Sequence, residues 1–123
     1  MNSKINKYLD LNFLGSFTNI EGLKKHDCVE IAFVGASNVG KSSAINMLSN
    51  NKKMSKVSKK PGKTKYLNIF ELKEGYIVDL PGYGYSSASG DYKRSWAIEL
   101  PRYLENRNEL HYVYLFTDIR NPL

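Results

Sequence analysis

The sequence predicts an α/β fold built on a mostly parallel sheet flanked by helices, and three stretches carry that prediction. Residues Val29 to Val34 are almost entirely apolar, as expected of a central parallel strand, and a glycine loop and a helix follow them. Two apolar segments on either side of Glu74-Gly75 predict an antiparallel hairpin. A third apolar run, HYVYLFT from His111, predicts another buried strand.

The length and composition fit one globular domain. The chain has 123 residues, of which 41% are hydrophobic and 24% are charged. It contains no apolar run long enough for membrane insertion, and its N-terminus lacks the apolar stretch of a signal peptide. The single Cys28 excludes an internal disulfide, which fits a cytoplasmic protein. We expect Cys28 to be partly buried and the lone His26 to lie at the surface.

In the first half of the chain, the helix after the glycine loop is clearly predicted, whereas the lead-in has two possible structures. Residues 1–15 show no clean period and predict either a short helix or an extended segment that packs on the domain, and 16–27 predict a loop. The helix after the glycine loop is expected from Lys41 to about Leu48. Its core-facing residues, at three- and four-residue spacing, are Ala44, Ile45 and Leu48.

The second half is predicted to be strand, strand, helix and strand. Tyr66–Leu72 and Tyr76–Leu80 form the hairpin, a helix runs from an Asp91 cap to about Asn106, and His111–Thr117 is the last strand. Pro101 lacks a backbone N–H, so it predicts a kink or a break in that helix. The apolar stripe of the helix comprises Tyr92, Trp96, Leu100, Tyr103 and Leu104.

The glycine loop carries the strongest chemical signal. GASNVGKS at Gly35–Ser42 fits G-x-x-x-x-G-K-[ST], a loop whose backbone N–H groups and following helix bind phosphates. The two glycines permit the tight curl, Lys41 reaches the β- and γ-phosphates, and the Ser42 hydroxyl can ligate Mg²⁺. The loop residues predicted to contact nucleotide are Gly35, Ala36, Ser37, Asn38, Val39, Gly40, Lys41, Ser42 and Ser43.

Two further segments predict a switch that depends on Mg²⁺. Asp79 ends a strand and begins an Asp-x-x-Gly sequence, so its carboxylate can orient Mg²⁺ while the Gly82 N–H senses a γ-phosphate. The Thr64 hydroxyl, in the loop between the helix and the hairpin, can complete the Mg²⁺ shell when a triphosphate is bound. The predicted metal ligands are Ser42, Thr64 and Asp79; the predicted catalytic residues are Lys41, Thr64 and Gly82; Leu80 and Pro81 complete the second nucleotide-contacting segment.

The positive charge of the chain is concentrated in one stretch. The net charge is +6, and seven lysines with no acidic residue lie between Asn51 and Lys65. The rest of the chain is close to neutral. This stretch is either a solvated loop or a surface that faces the phosphates of nucleotide or RNA.

Together these motifs resemble the EngB (YsxC or YihA) GTPases. The matching segments are GASNVGKSSAIN at Gly35–Asn46, SKKPGKT at Ser58–Thr64, VDLPGYGY at Val78–Tyr85, KRSW at Lys93–Trp96 and DIRNPL at Asp118–Leu123. The resemblance implies a Ras-like P-loop GTPase fold in a single domain, with 1–27 as a lead-in and 28–123 as the nucleotide-binding core. It also implies a fold that is incomplete at the C-terminus, because the family continues to a Thr-Lys-x-Asp segment that reads guanine. A preference for GTP over ATP therefore rests on the resemblance.

The resemblance also implies an activity and partners. The activity is GTP binding and slow, Mg²⁺-dependent hydrolysis of GTP to GDP. The partner is the large ribosomal subunit or its rRNA, and DNA is not expected as a partner. The family is also linked to cell division and septation. The family's first switch corresponds to Gly62, Lys63, Thr64, Lys65 and Tyr66, and its second to Asp79–Gly82. Tyr83 stands where Ras-like proteins place a water-orienting Gln, which suggests slow unaided hydrolysis. Asn38 either matches a position that coordinates K⁺ in related GTPases or only hydrogen-bonds within the loop.

Two other functions are compatible with these residues. One is an RNA-binding assembly module without significant turnover, in which the lysine stretch supplies the affinity. The other, an ATP-dependent kinase, is disfavoured because no arginine-rich lid is present and Asp-Leu-Pro-Gly is typical of a switch. We also expect the 123 residues alone to be marginally stable, with one edge of the sheet uncovered beside the Val29 and His111 strands.

Overall fold

The structure is a computed structural model that describes residues 10–17, 19–35, 40–51, 53–54, 67–80 and 90–117; within 90–96 it describes the backbone alone. In chain order the elements are β1 (Asn12–Phe17), a 3₁₀ turn (Ile20–Gly22), β2 (Val29–Gly35), α1 (Lys41–Ser49), β3 (Leu67–Leu72), β4 (Gly75–Asp79), α2 (Gly90–Asn106) and β5 (Leu110–Phe116). No helix within these ranges is long and apolar enough to span a bilayer.

The five described strands form one mixed sheet in the order β1-β3-β4-β2-β5. Strand β2 pairs in parallel with β4 and with β5, whereas β3 pairs antiparallel with β4 and with β1. Only β3 therefore runs against the other strands. This confirms the predicted α/β class, the hairpin and the mostly parallel sheet.

The lead-in contributes a strand to the sheet. Of the two predicted alternatives for this segment, the extended one is correct, since Asn12–Phe17 pairs with β3. The Ser16 hydroxyl donates a hydrogen bond to Asn68 Oδ1 at 2.6 Å. The pairing shifts register between Phe13 and Gly15, so β1 has no regular alternation for a sequence pattern to reveal.

Helix α1 agrees with the sequence prediction at both ends. It begins at Lys41 and ends at Ser49, and Asn50 caps it in the left-handed conformation with φ of 54°. Asn tolerates this conformation better than most residues, which explains why the helix stops there. Ile45 is fully buried, and Leu48 packs partly buried beside it.

Each face of the sheet packs against one helix. On one face the core consists of Leu11, Phe33, Ile45, Phe70 and Ile77, around α1. On the other it consists of Leu23, Ala32, Val34, Leu67, Ile69, Val78, Leu80 and Tyr103, with Leu100 of α2 packed against it. Consecutive β2 residues alternate between the two cores, as the strand period requires.

Four local predictions are wrong. His26 is not at the surface: its side chain is only 7% exposed, because Nε2 contacts the Glu30 carboxylate. Cys28 is exposed, since it lies in the turn before β2. Leu104 on α2 is 39% exposed and outside the core, and the His111 strand, predicted to be buried, is exposed along most of its length. Helix α2 runs through Pro101 without a break, so of the two predicted outcomes the break is excluded and the kink stays a prediction. The Tyr92 and Trp96 side chains lie outside the described part of the chain.

The predicted open edge of the sheet is confined to one strand. Strand β2 is paired on both sides, by β4 and β5, so the Val29 strand is interior. Strand β5 lies at the end of the described sheet. The expectation is thus correct for the His111 strand and wrong for the Val29 strand.

Candidate functional site

The carboxyl ends of β2 and β4 lie side by side and bring two of the predicted motifs together. Phe33 pairs with Asp79, and the Leu80 N–H donates a hydrogen bond to the Phe33 carbonyl at 3.0 Å. Gly35, the first residue of the phosphate-loop motif, ends β2, and Asp79, the first residue of Asp-x-x-Gly, ends β4. Both motifs therefore leave the sheet at one edge, where parallel α/β sheets bind ligands.

Gly40 sets the conformation at the start of α1. Its φ is 93°, in the left-handed region that favours glycine, and a Cβ built there would meet no atom within 4 Å. Backbone conformation, not packing, therefore requires the glycine. The Gly40 carbonyl accepts the first helical hydrogen bond from Ala44 N–H at 2.9 Å. Helix α1 begins directly after Gly40, and the backbone N–H groups at a helix N-terminus favour a bound anion.

Lys41 and Asp79 form a buried ion pair. Lys41 Nζ lies 2.8 Å from Asp79 Oδ1, and the two side chains are 10% and 5% exposed. The same ammonium group also donates a hydrogen bond to the Leu80 carbonyl oxygen. The cation predicted to reach phosphate and the carboxylate predicted to orient Mg²⁺ thus neutralise each other in this structure.

The residues present fit a magnesium ion. The Ser42 hydroxyl at the start of α1 and the Asp79 carboxylate at the end of β4 are hard oxygen donors, which Mg²⁺ prefers. Magnesium is commonly held by one or two carboxylates together with the phosphates of a substrate. Within the described ranges, no three His, Cys, Asp or Glu side chains cluster as an all-protein metal site.

Of the remaining predicted site residues, Ser43 alone has a described position. Ser43 is an exposed residue in the first turn of α1. The others lie outside the described residues: Ala36, Ser37, Asn38, Val39, Gly62, Lys63, Thr64, Lys65, Tyr66, Pro81 and Gly82. The roles assigned to them, including the Thr64 metal contact, the Gly82 phosphate contact and the K⁺ contact of Asn38, stay predictions.

A second polar cluster, which the sequence reasoning missed, surrounds Glu30 at the opposite end of β2. Glu30 is 1% exposed. The Tyr103 hydroxyl donates to its carboxylate at 2.6 Å, Arg107 Nη2 at 2.9 Å, and His26 Nε2 lies 2.8 Å away. The Arg107 guanidinium also donates to the Lys24 carbonyl at 2.7 Å, which ties the loop before β2 to the cluster. The sequence feature that could have indicated this cluster is Glu30 itself, an acidic residue in an otherwise apolar strand.

The cluster holds Glu30 in its charged form. Burial alone would raise the pKa of Glu30, but hydrogen bonds from Arg107, Tyr103 and His26 outweigh burial and hold the pKa below the ordinary value of a glutamate. Burial and the adjacent Glu30 carboxylate raise the pKa of Tyr103 above its usual value. The phenol therefore remains a donor at neutral pH.

Comparison with known proteins agrees with this arrangement. Residues 30–121 match the family described as "50S ribosome-binding GTPase". A probable GTP-binding protein EngB of Buchnera aphidicola subsp. Acyrthosiphon pisum (strain Tuc7) is 47% identical over 117 residues, which cover 94% of this chain and 57% of that protein. The EngB protein of Serratia proteamaculans (strain 568) is 44% identical over 124 residues, covering 100% of this chain and 57% of the relative.

A third relative has a similar identity and covers a similar share of each chain. The EngB protein of Escherichia coli O139:H28 is 44% identical over 117 residues, which is 94% of this chain and 56% of that protein. The chain thus spans a little over half the length of the curated relatives that it matches. The resemblance to EngB proteins is confirmed, and the chain belongs to the 50S ribosome-binding GTPase family.

Proposed function

We propose that this protein is a molecular switch that binds GTP and hydrolyses it slowly to GDP and phosphate with Mg²⁺. The observation that carries the proposal is the 2.8 Å contact between Lys41 Nζ and Asp79 Oδ1. In this contact, the lysine of the phosphate-loop motif and the carboxylate of the Asp-x-x-Gly motif meet at the edge of the sheet. Family membership supports the same activity.

The chain's own residues suggest how nucleotide would be received. On binding, the Lys41 ammonium exchanges Asp79 and the Leu80 carbonyl for phosphate oxygens, a charge-assisted contact of similar strength. Asp79 and the Ser42 hydroxyl then become available to hold Mg²⁺, which neutralises developing phosphate charge when bound. Gly40 and the first turn of α1 present backbone donors to the same phosphates.

Nucleotide binding tests the role of Lys41. We expect Lys41→Ala to weaken GTP binding at least about 100-fold, because a desolvated contact between cation and phosphate is lost. Lys53→Ala is the matched control, since Lys53 is exposed and lies outside this edge of the sheet. Fluorescent-nucleotide titration measures the affinity of both variants. Wild-type affinity in Lys41→Ala would overturn the proposal.

A second variant guards against loss of folding, since Lys41→Ala leaves the Asp79 carboxylate buried without its cation. Ser42→Ala preserves that ion pair. We expect it to raise the Mg²⁺ concentration needed for half-maximal GTP hydrolysis about tenfold, because one oxygen ligand is removed. An unchanged Mg²⁺ requirement would argue against Ser42 as a ligand.

We propose the large ribosomal subunit or its rRNA as the partner, with action in the cytoplasm and a consequence for cell division and septation. The family description and the seven lysines between Asn51 and Lys65 support this partner. Charge reversal at Lys52, Lys53 and Lys56 is expected to weaken co-sedimentation with large subunits and to flatten its salt dependence. An unchanged salt slope would count against RNA contact by these lysines.

The same lysine stretch supports a second candidate function, an RNA-binding assembly module without significant turnover. GTP hydrolysis measured with and without ribosomal subunits separates the two functions. Turnover in either condition, absent in Lys41→Ala, supports the GTPase. Subunit binding without turnover, in the protein as the cell makes it, supports the binding module.

A further inference from the structure

A row of three polar residues crosses the sheet and ends at the phosphate site. Ser16 of β1 pairs with Asn68 of β3, and Asn68 pairs on its other side with Asp79 of β4. Both pairings are antiparallel, in which residues directly opposite each other bring their Cβ atoms to about 5 Å. Asn68 therefore stands between the lead-in strand and the carboxylate that is predicted to orient Mg²⁺.

Asn68 and Asp79 lie on the same face of the sheet. Ile69 belongs to the core on the α2 side, whereas Phe70 belongs to the core around α1. Strand residues alternate between the two faces, so Asn68 shares the α1 side with Phe70. In β4, Ile77 packs in the core around α1, and the same alternation puts Asp79 on that side. The amide and the carboxylate are thus neighbours on the face that α1 covers.

The surroundings of Asn68 assign different tasks to the two halves of its amide. Asn68 is 7% exposed, in a strand whose first four residues are all buried. A buried amide is costly unless its polar atoms find partners. The Ser16 hydroxyl donates a hydrogen bond to Asn68 Oδ1 at 2.6 Å, on the β1 side. This bond uses the acceptor of the amide, so the two N–H donors on Nδ2 are what Asn68 can offer to Asp79 on the β4 side.

Asp79 needs a new donor when nucleotide binds. In this structure its carboxylate contacts the Lys41 ammonium at 2.8 Å. In the proposed function, Lys41 leaves this carboxylate for phosphate oxygens, and a buried carboxylate that loses its cation is strongly destabilising. Carboxylates that hold a metal ion are in turn oriented by hydrogen bonds from neighbouring groups. The side chain opposite Asp79 on the adjacent strand is that of Asn68.

We propose that Asn68 is a positioning residue for Mg²⁺: its side-chain amide donates a hydrogen bond to the Asp79 carboxylate when Lys41 turns to the phosphates. Ser16 sets the orientation of that amide. The inference rests on the proposed GTPase function and deepens it, because it names the group that holds the metal-orienting carboxylate. Strand β1, two positions from β4 in the sheet, thereby contributes to the metal site through one side-chain hydrogen bond.

The dependence of nucleotide affinity on Mg²⁺ tests the proposal in the protein as the cell makes it. The probe is a fluorescent, non-hydrolysable GTP analogue, titrated in EDTA and at a series of Mg²⁺ concentrations. Asn68→Leu replaces the amide by an apolar group of similar size. We expect it to raise the Mg²⁺ concentration for half-maximal tightening about tenfold, because a group that orients a metal ligand is lost. Affinity in EDTA should stay within twofold of the wild type, since no phosphate contact changes.

Ser16→Ala keeps the test decisive if Asn68→Leu fails to fold. It leaves the amide in place and removes the hydroxyl that orients it, so we expect the Mg²⁺ requirement to rise about threefold. Ser16→Thr keeps a hydroxyl and should restore the wild-type requirement.

Two substitutions are matched controls. Ser49→Ala removes a hydroxyl that donates to the Asn46 carbonyl at 3.1 Å on α1. Asn12→Leu makes the same change as Asn68→Leu at an exposed position of β1. Both should keep the wild-type Mg²⁺ requirement.

A spectroscopic readout reports the proposed bond without turnover. Adding Mg²⁺ to the protein bound to the GTP analogue should shift the side-chain amide protons of Asn68 downfield in NMR spectra, because they then donate to a carboxylate. The amide protons of Asn12 should not respond. If Asn68 only attached β1 to β3, Asn68→Leu would unfold more easily, but neither the Mg²⁺ requirement nor the response of the wild-type amide would follow the proposal.

The outcomes separate this inference from the proposed function. Wild-type binding that tightens with Mg²⁺, together with an unchanged Mg²⁺ requirement in Asn68→Leu and Ser16→Ala, overturns the inference alone. An Asn68 amide that does not respond to Mg²⁺ in that wild type does the same. A wild-type protein that does not bind the analogue, or binds it equally well in EDTA and Mg²⁺, overturns the proposed Mg²⁺-dependent switch and the inference with it.

Discussion

Two buried acidic residues on neighbouring strands are partnered in opposite ways. Asp79 pairs with the Lys41 ammonium at 2.8 Å, at the edge where ligands are expected. Glu30 is surrounded by a hydroxyl, a guanidinium and an imidazole, at the other end of the sheet. The cation of the first pair, Lys41, belongs to a phosphate-binding motif and can exchange its partner for a ligand, whereas a carboxylate that several donors contact holds its surroundings in place. We therefore assign exchange to the first and positioning to the second.

Glu30 predicts an acid-dependent loss of stability. The pKa of Glu30 is lower in the folded chain than in the unfolded chain, so its stabilising contribution is complete above the unfolded pKa and disappears as pH falls through the lowered folded pKa. Glu30→Gln should lower the free energy of unfolding at pH 7 on the order of 3 kcal/mol. Between about pH 7 and about pH 3.5, the free energy of unfolding of this variant should fall by less than that of the wild type. Urea unfolding over this range measures both. Glu74→Gln, in the exposed β3–β4 turn, is the control, and an equal pH dependence in all three proteins would contradict the assignment.

Gly75 predicts a steric effect that the sequence alone does not reveal. A Cβ at this position would lie 2.5 Å from the Val29 carbonyl oxygen, a backbone atom that cannot move aside. Gly75→Ala should therefore lower the free energy of unfolding by about 1–3 kcal/mol, measured by urea unfolding. A Cβ at Gly15 would have the Phe17 ring as its nearest neighbour, 3.7 Å away. Gly15→Ala should therefore change the free energy of unfolding by less than about 0.5 kcal/mol. Equal effects at the two glycines would refute the explanation.

At the scale of elements, strand β5 presents apolar side chains on both faces. Tyr112 is 60% exposed and Tyr114 is 56% exposed on the α1 side, and Val113 and Leu115 are about half exposed on the other. On its outer side, β5 has no pairing strand among those described. A strand of this kind can pair with another chain.

We expect the 123-residue chain to self-associate through β5. Sedimentation velocity over a concentration series should show a mass that rises with concentration, and Tyr114→Lys should reduce that rise because a charge opposes strand pairing. Met47→Lys places the same charge on α1 at a residue that is 67% exposed, and it should leave association unchanged. A concentration-independent monomer in the wild type would exclude association through this strand.

The elements that the sequence predicted are those whose signals are local. Strand β2 is apolar except for Glu30, and α1 has a glycine before it and an asparagine after it, so neighbouring residues determine both. Strand β1 depends on β3, and Ser16 lies 52 residues from its partner Asn68. No local period reports such a pairing, so the lead-in remained ambiguous between helix and strand.

The same distinction holds for the candidate site. Gly40, Lys41 and Asp79 belong to motifs with fixed spacing, so sequence predicted which residues take part. It did not predict that Lys41 would contact Asp79 and the Leu80 carbonyl, because that depends on β4 lying beside β2. The Glu30 cluster was missed for a similar reason, since Tyr103 is 73 residues away in the chain.

At the scale of the whole molecule, the central position of β2 has a consequence for the order of folding. Its neighbour β5 comes from far along the chain, and Glu30 and His111 are bonded across 81 residues. The β3–β4 hairpin closes over a two-residue turn and can form in microseconds, whereas β2 must wait for distant segments to meet. We expect Val78→Ala in the hairpin to slow refolding and Val113→Ala in β5 mainly to speed unfolding, as stopped-flow kinetics would show. During synthesis, the strand that carries the phosphate loop would then leave the ribosome well before its β5 partner and could pair with it only after Phe116 has emerged.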